Sequence, residues 1–87
     1  MEEFLKSLGI TGHLQKSKSS YVLDIADSNE YGKIYSLLDK NEELEEDAES
    51  SQVTLDYSSV QFFNDKYMIQ LIADFDADEY RLTIKEN

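Results

Sequence analysis

The chain has no cysteine and no proline, and only three glycines and one histidine among its 87 residues. Without cysteine there is no disulfide framework and no thiolate zinc site. Three isolated glycines form no glycine-rich phosphate loop. No apolar segment approaches the ~20 residues that span a bilayer. The opening MEEFLKSLGI is acidic at its front and has no long apolar run, so it does not read as a signal peptide. The expectation is a soluble, cytoplasmic protein of a bacterial cell. Scarce alanine beside abundant Lys, Asn, Ile, Tyr, Ser, Asp and Glu fits an AT-rich genome, such as that of a low-GC bacterium or its phage.

What the chain does have is negative charge. Nineteen acidic and eight basic side chains leave a net charge of −11. Self-repulsion of that size costs stability. It also opposes direct binding to nucleic acid or to an anionic membrane. A basic partner is the natural complement, and solubility alone is the plainer account. The length sets a single domain, residues 1–87, that buries roughly 60–65% of its unfolded surface. Six Tyr and four Phe within a 40% hydrophobic composition are enough for one core.

Local patterns predict an α+β domain of order α-β-α-β-β-β. In EEFLKSLGI, Phe4, Leu5 and Leu8 share one helix side, and Gly9 suits a left-handed C-cap with Ile10 folded back on Leu5. Tyr21, Leu23 and Ile25 alternate with Val22 and Asp24, predicting a strand at about 20–26. A strand at about 12–16 could pair with it through KSKS. The long helix starts at a capping box of Asp27 and Glu30 and buries Tyr31, Ile34, Tyr35 and Leu38. Leu44 lies seven residues after Leu37, so the helix is expected to continue and fray near Glu46, where acids oppose its dipole.

The last third reads as three strands, QVTLDYSSVQFF, KYMIQLIADF and YRLTIK, forming an antiparallel sheet under the long helix. Ile69, Leu71, Ala73 and Phe75 are inward candidates, as are Tyr80, Leu82 and Ile84, while Arg81, Thr83 and Lys85 face out. Val53, Leu55 and Tyr57 are out of phase with Val60, which predicts a β-bulge at Ser58-Ser59. Asn64-Asp65 fits a tight turn. Phe62, Phe63, Tyr67 and Met68 cluster around it, so two of them must face outward. The N-terminal helix could cover that second sheet face, or it could be a binding surface.

Catalytic constellations are missing. His13 is far in sequence from any acid, and Ser17, Ser19 or Ser20 beside it mark no triad. Asp74, Asp76 and Asp78 occupy positions 1, 3 and 5 of a calcium loop, but Glu79 and Lys85 stand where Gly and Glu are required. A turn of Asp76 to Glu79, with Asp74 facing Arg81, explains this run better. No cofactor and no metal are expected, and no enzyme.

The acidic surface remains. From Asp39 to Ser50 there are seven acids, Asp39, Glu42, Glu43, Glu45, Glu46, Asp47 and Glu49, and one cation, Lys40. As a helix this stretch is about 18 Å long, a length over which one DNA strand carries about five charges. Asp74, Asp76, Asp78 and Glu79 form a second block. In size, acidity and lack of catalytic motif the chain resembles small phage-encoded inhibitors of the anti-CRISPR and anti-restriction type. That resemblance implies a DNA mimic: an inhibitor whose carboxylates occupy the basic groove of a nuclease. The alternative is an immunity-like, antitoxin-like or adaptor protein that binds a basic protein without mimicry.

Overall fold

A computed structural model describes every residue except Met1, Thr11 and His13. His13, for which no catalytic role is expected, lies outside the described residues. The first helix, α1 (Glu2–Leu8), ends as its sequence predicts. Gly9 takes φ +81°, the Gly9 amide donates to the Lys6 carbonyl and the Ile10 amide to the Leu5 carbonyl, both at 3.0 Å. That is a Schellman cap, and Ile10 and Leu5 are both buried beside it.

Strands β1 (Gln15–Ser17) and β2 (Ser20–Ile25) form a hairpin. The first strand exists but starts later than the expected 12–16, and its turn is Lys18-Ser19, with Lys18 at φ +51°. Helix α2 (Ser28–Asp39) follows, with the Asp27 carboxylate accepting from the Glu30 amide at 2.9 Å. Ile34 and Leu38 are buried, and Tyr31 and Tyr35 pack at the margin of the core.

The helix ends at Asp39, seven residues short of the predicted fraying point at Glu46. Asn41 stops it: its Oδ1 accepts from the Glu43 amide at 2.9 Å, closing a turn instead of another helical bond. The chain then extends into β3 (Glu45–Glu46). Leu44 is buried while Leu37, seven residues before it, is exposed, so the spacing does not reflect a continued helix: Leu44 enters the core from an extended segment.

The predicted long strand 52–63 is a second hairpin. Strand β4 (Gln52–Val53) turns at Leu55-Asp56 and pairs back on β5 (Tyr57–Phe63). There is no bulge, because β5 pairs without interruption with β6 (Tyr67–Asp74) from Tyr57↔Asp74 to Phe63↔Met68. The phase conflict was real, and the turn resolves it. Val53, Leu55 and Tyr57, all expected to face inward, are therefore exposed. Ser58 and Ser59 stay satisfied: Tyr31 Oη donates to Ser58 Oγ at 3.2 Å and Gln70 Nε2 to Ser59 Oγ at 3.0 Å. The β5–β6 turn falls one residue later than Asn64-Asp65, with Asn64 Oδ1 accepting from the Lys66 and Tyr67 amides.

Strand β7 (Glu79–Glu86) completes a seven-stranded antiparallel sheet of order β1-β2-β7-β6-β5-β3, with β4 also on β5. The element order is thus α-β-β-α-β-β-β-β-β, an α+β domain with far more sheet than the sequence promised. Ile69, Leu71, Ala73, Leu82 and Ile84 are wholly buried on the helix-covered face, and Tyr80 nearly so. Phe75 lies beyond β6, 43% exposed, against the inward expectation.

Both helices cover the same face. Phe4 stacks on Tyr67 at 4.0 Å, on the side of Ile69, and Leu37 of α2 lies over Gly9. The N-terminal helix therefore does not cover the second face, which stays open around Phe63 and Met68. No described helix is long and apolar enough to cross a membrane.

Candidate functional site

The first acidic block is a strap along the edge of β5. Asp39 closes α2, Glu42 and Glu43 lie in the turn, and Glu45 and Glu46 pair with Phe63 and Phe62. The Asp47 amide donates to the Gln61 carbonyl at 2.8 Å. Ser51 Oγ donates to the Asp47 carbonyl at 2.8 Å and accepts from the Gln61 amide at 3.1 Å. Beyond Ser51, β4 covers the other end of β5. An open strand edge invites pairing with other chains, and this one is closed by backbone that carries charge.

This geometry replaces the expected charged helix. Neighbouring strand residues point to opposite faces, so Glu45 lies on the side of Phe63 and Glu46 on the helix side. The helix-side acids are felt by Tyr35: burial first, then Glu46 and Asp39, raise its phenol above the usual range. Glu42, Glu43 and Glu45 line an open hollow of about 230 Å³, which Asp65 shares.

The second block sits at the other end of β5, about 20 Å along a seven-residue strand. Asp74 ends β6, Asp76 and Asp78 lie in the turn, and Glu79 opens β7. The turn is Phe75 to Asp78, so Asp74 faces Glu79 and not Arg81. Arg81 instead pairs with Ile72 on one side and Asp24 on the other. Asp24, Asp74, Asp78, Glu79 and Arg81 border a hollow of about 550 Å³ with Tyr57 and Ile72. Burial, then the neighbouring Asp78 carboxylate, raise the Tyr80 phenol.

The structure thus joins each block internally and sets the two at opposite ends of one strand. It adds residues that the sequence reading missed. Asp65 joins the first block and Asp24 the second through sheet pairing, a relation no local pattern carries. Asp56 meets the second block because the Phe75 amide donates to its carbonyl at 2.9 Å.

Among the described residues the one ion pair is Lys33–Glu30, at 3.5 Å and well exposed, so none of the acids in either block has a cation within bonding reach. No three of them converge so as to hold a metal ion, again among the described residues. No family model, curated protein or solved structure matches the chain.

Proposed function

We propose that this protein is a non-enzymatic inhibitor that binds a nucleic-acid-binding enzyme, such as a CRISPR or restriction nuclease, and fills its basic groove with carboxylates. One observation carries the reading: from Asn41 to Asp65 there are eight acids and no lysine or arginine, all on or beside the margin of β5. The lysines and arginines that would grip phosphates meet Glu42, Glu43, Glu45, Glu46, Asp47 and Glu49 instead. Such a surface is steered to its target and sensitive to salt. Because the acids fall on both sides of the strap, mimicry rests on the margin as a whole and not on a single helical line of charge.

Competition tests this. The protein is mixed with a panel of basic DNA-binding nucleases, and DNA is then added. Inhibition that DNA relieves, and that fades by about 0.5 M salt, is the expected outcome. Tight binding indifferent to both DNA and salt contradicts mimicry and moves the function to the second reading, an immunity-like or adaptor protein for a basic partner. That second reading draws on its own observation: Leu55 and Phe75 stand in solvent at the acidic end of the sheet, 96% and 43% exposed. A stand-in for a phosphate backbone needs no apolar side chain there.

A further inference from the structure

We propose that the β4–β5 hairpin tip, with Phe75 beside it, is a docking anchor for a segment of a partner protein in which large apolar side chains alternate with lysine or arginine. The inference rests on the reading that the chain acts by binding a basic protein, and it holds whether or not mimicry does.

The tip is apolar where its turn does not require it. Two-residue hairpin turns favour Asn-Gly or Asp-Gly. Here the pair is Leu55-Asp56, and Leu55 is 96% exposed, with Val53 just before it 71% exposed. Neither side chain contributes to the core, so the fold gives no reason for them.

The tip is also tied by hydrogen bonds. The Thr54 amide donates to the Tyr57 carbonyl at 2.7 Å, and Thr54 Oγ1 accepts from the Tyr57 amide at 3.1 Å. The Asp56 carbonyl is tied to Phe75 as described above. Phe75 in turn meets Tyr31 and Tyr80 edge to face, with centroids 6.2 and 6.1 Å apart. An exposed aromatic ring fixed by its neighbours loses little entropy on binding, which suits it to anchor an interface.

Charge names the occupant. Asp56 is in the tip, Asp74 pairs with Tyr57 beside it, and Asp76 and Asp78 share the turn of Phe75; Asp74 also faces Glu79 across the hairpin, an arrangement that costs stability. A nucleic acid would be repelled. A second copy related by a two-fold axis would bring the same acids together. A different polypeptide with apolar side chains among cations satisfies both the leucine and the aspartates.

The test is a titration of the full chain, labelled with ¹⁵N, with three synthetic peptides. One alternates Leu and Phe with Lys and Arg, one replaces the apolar residues by Ser, and one replaces the cations by Ser. The first should bind saturably and shift the amides of residues 53–57 and 74–79. L55S/F75S should weaken it about tenfold or more. L55S alone, at a site that carries no packing, should weaken it in the same direction, and E42Q/E43Q/E45Q should change it by less than about threefold. Equal binding of either Ser-substituted peptide overturns the inference, as does unchanged affinity in L55S or an absence of shifts at the tip. The nuclease competition reads the other proposal separately, so the two can fail independently.

Discussion

The two acidic blocks carry charge of one sign but relate to the fold in opposite ways. In the first, Asn41 to Ser50, the backbone is woven into the sheet: it caps the β5 edge, buries Leu44 and is locked by Ser51. Its glutamate side chains make none of those bonds. In the second, Asp74 to Glu79, the acids crowd a turn whose apolar neighbours, Leu55 and Phe75, remain in water. The difference separates two jobs that one composition can hide. A charged segment can be structural through its main chain and its short Asn41 and Asp47 side chains while its glutamates remain free for a partner.

The comparison can be broken most forcefully at its apolar residues. Leu44→Ala should destabilise the protein by about 2–5 kcal/mol, because a buried leucine ties the strap down. Leu55→Ala should stay within about 0.5 kcal/mol, as for an exposed site. Denaturant melts of the two variants check both values; equal losses would mean that the two blocks are held alike.

A smaller loss is expected for Ser51→Ala, about 1–3 kcal/mol, since it leaves the part-buried Gln61 amide without its acceptor. Faster amide exchange at Gln61 and Asp47 than at Leu71 would accompany it.

Alkaline titration sharpens the contrast further, because each block has a tyrosine that reports on it. Tyr35 and Tyr80 both have raised folded-state values. A phenol favoured in its neutral form by the fold stabilises fully below the unfolded value of about 10, and that contribution is lost as pH climbs through the raised folded value. Stability should therefore fall above about pH 10. Tyr35→Phe and Tyr80→Phe should each make the fall shallower in pH-dependent melts. Neutralising Glu46 should lower only the Tyr35 value, and neutralising Asp78 only that of Tyr80.

Where chemistry is local, the fold was legible in the sequence. The Gly9 cap, the Asp27 cap and the period-two strands 20–25, 67–74 and 79–86 each follow from residues within a few positions of one another. The conflict of phase between Val53 and Val60 was also legible. Its solution was not, because Leu55-Asp56 carries no glycine or asparagine to mark a turn, and Thr54 supplies the bonds instead. The helix end was misplaced because the Leu37–Leu44 spacing imitates a heptad, while β5 offers the chain an open edge that only the folded sheet reveals. Of the candidate site, the acids could be read directly. Their division between two ends of one strand, and the addition of Asp24, Asp56 and Asp65, required the pairing of strands distant in sequence.

The central claim is that the strap's backbone, with the Asp47 carboxylate that accepts from the Ser50 amide at 3.3 Å, serves the fold and that its glutamate side chains do not. Thermal unfolding of E42Q/E43Q/E45Q/E46Q at low salt tests it directly. The four substitutions remove negative charge from a chain of net −11 without removing a hydrogen bond or an ion pair found among the described residues. The account predicts a midpoint equal to or above that of the parent, from relief of self-repulsion. A midpoint lower by more than about 5 °C, roughly 1 kcal/mol for a domain of this size, would contradict it and return the acids to the fold.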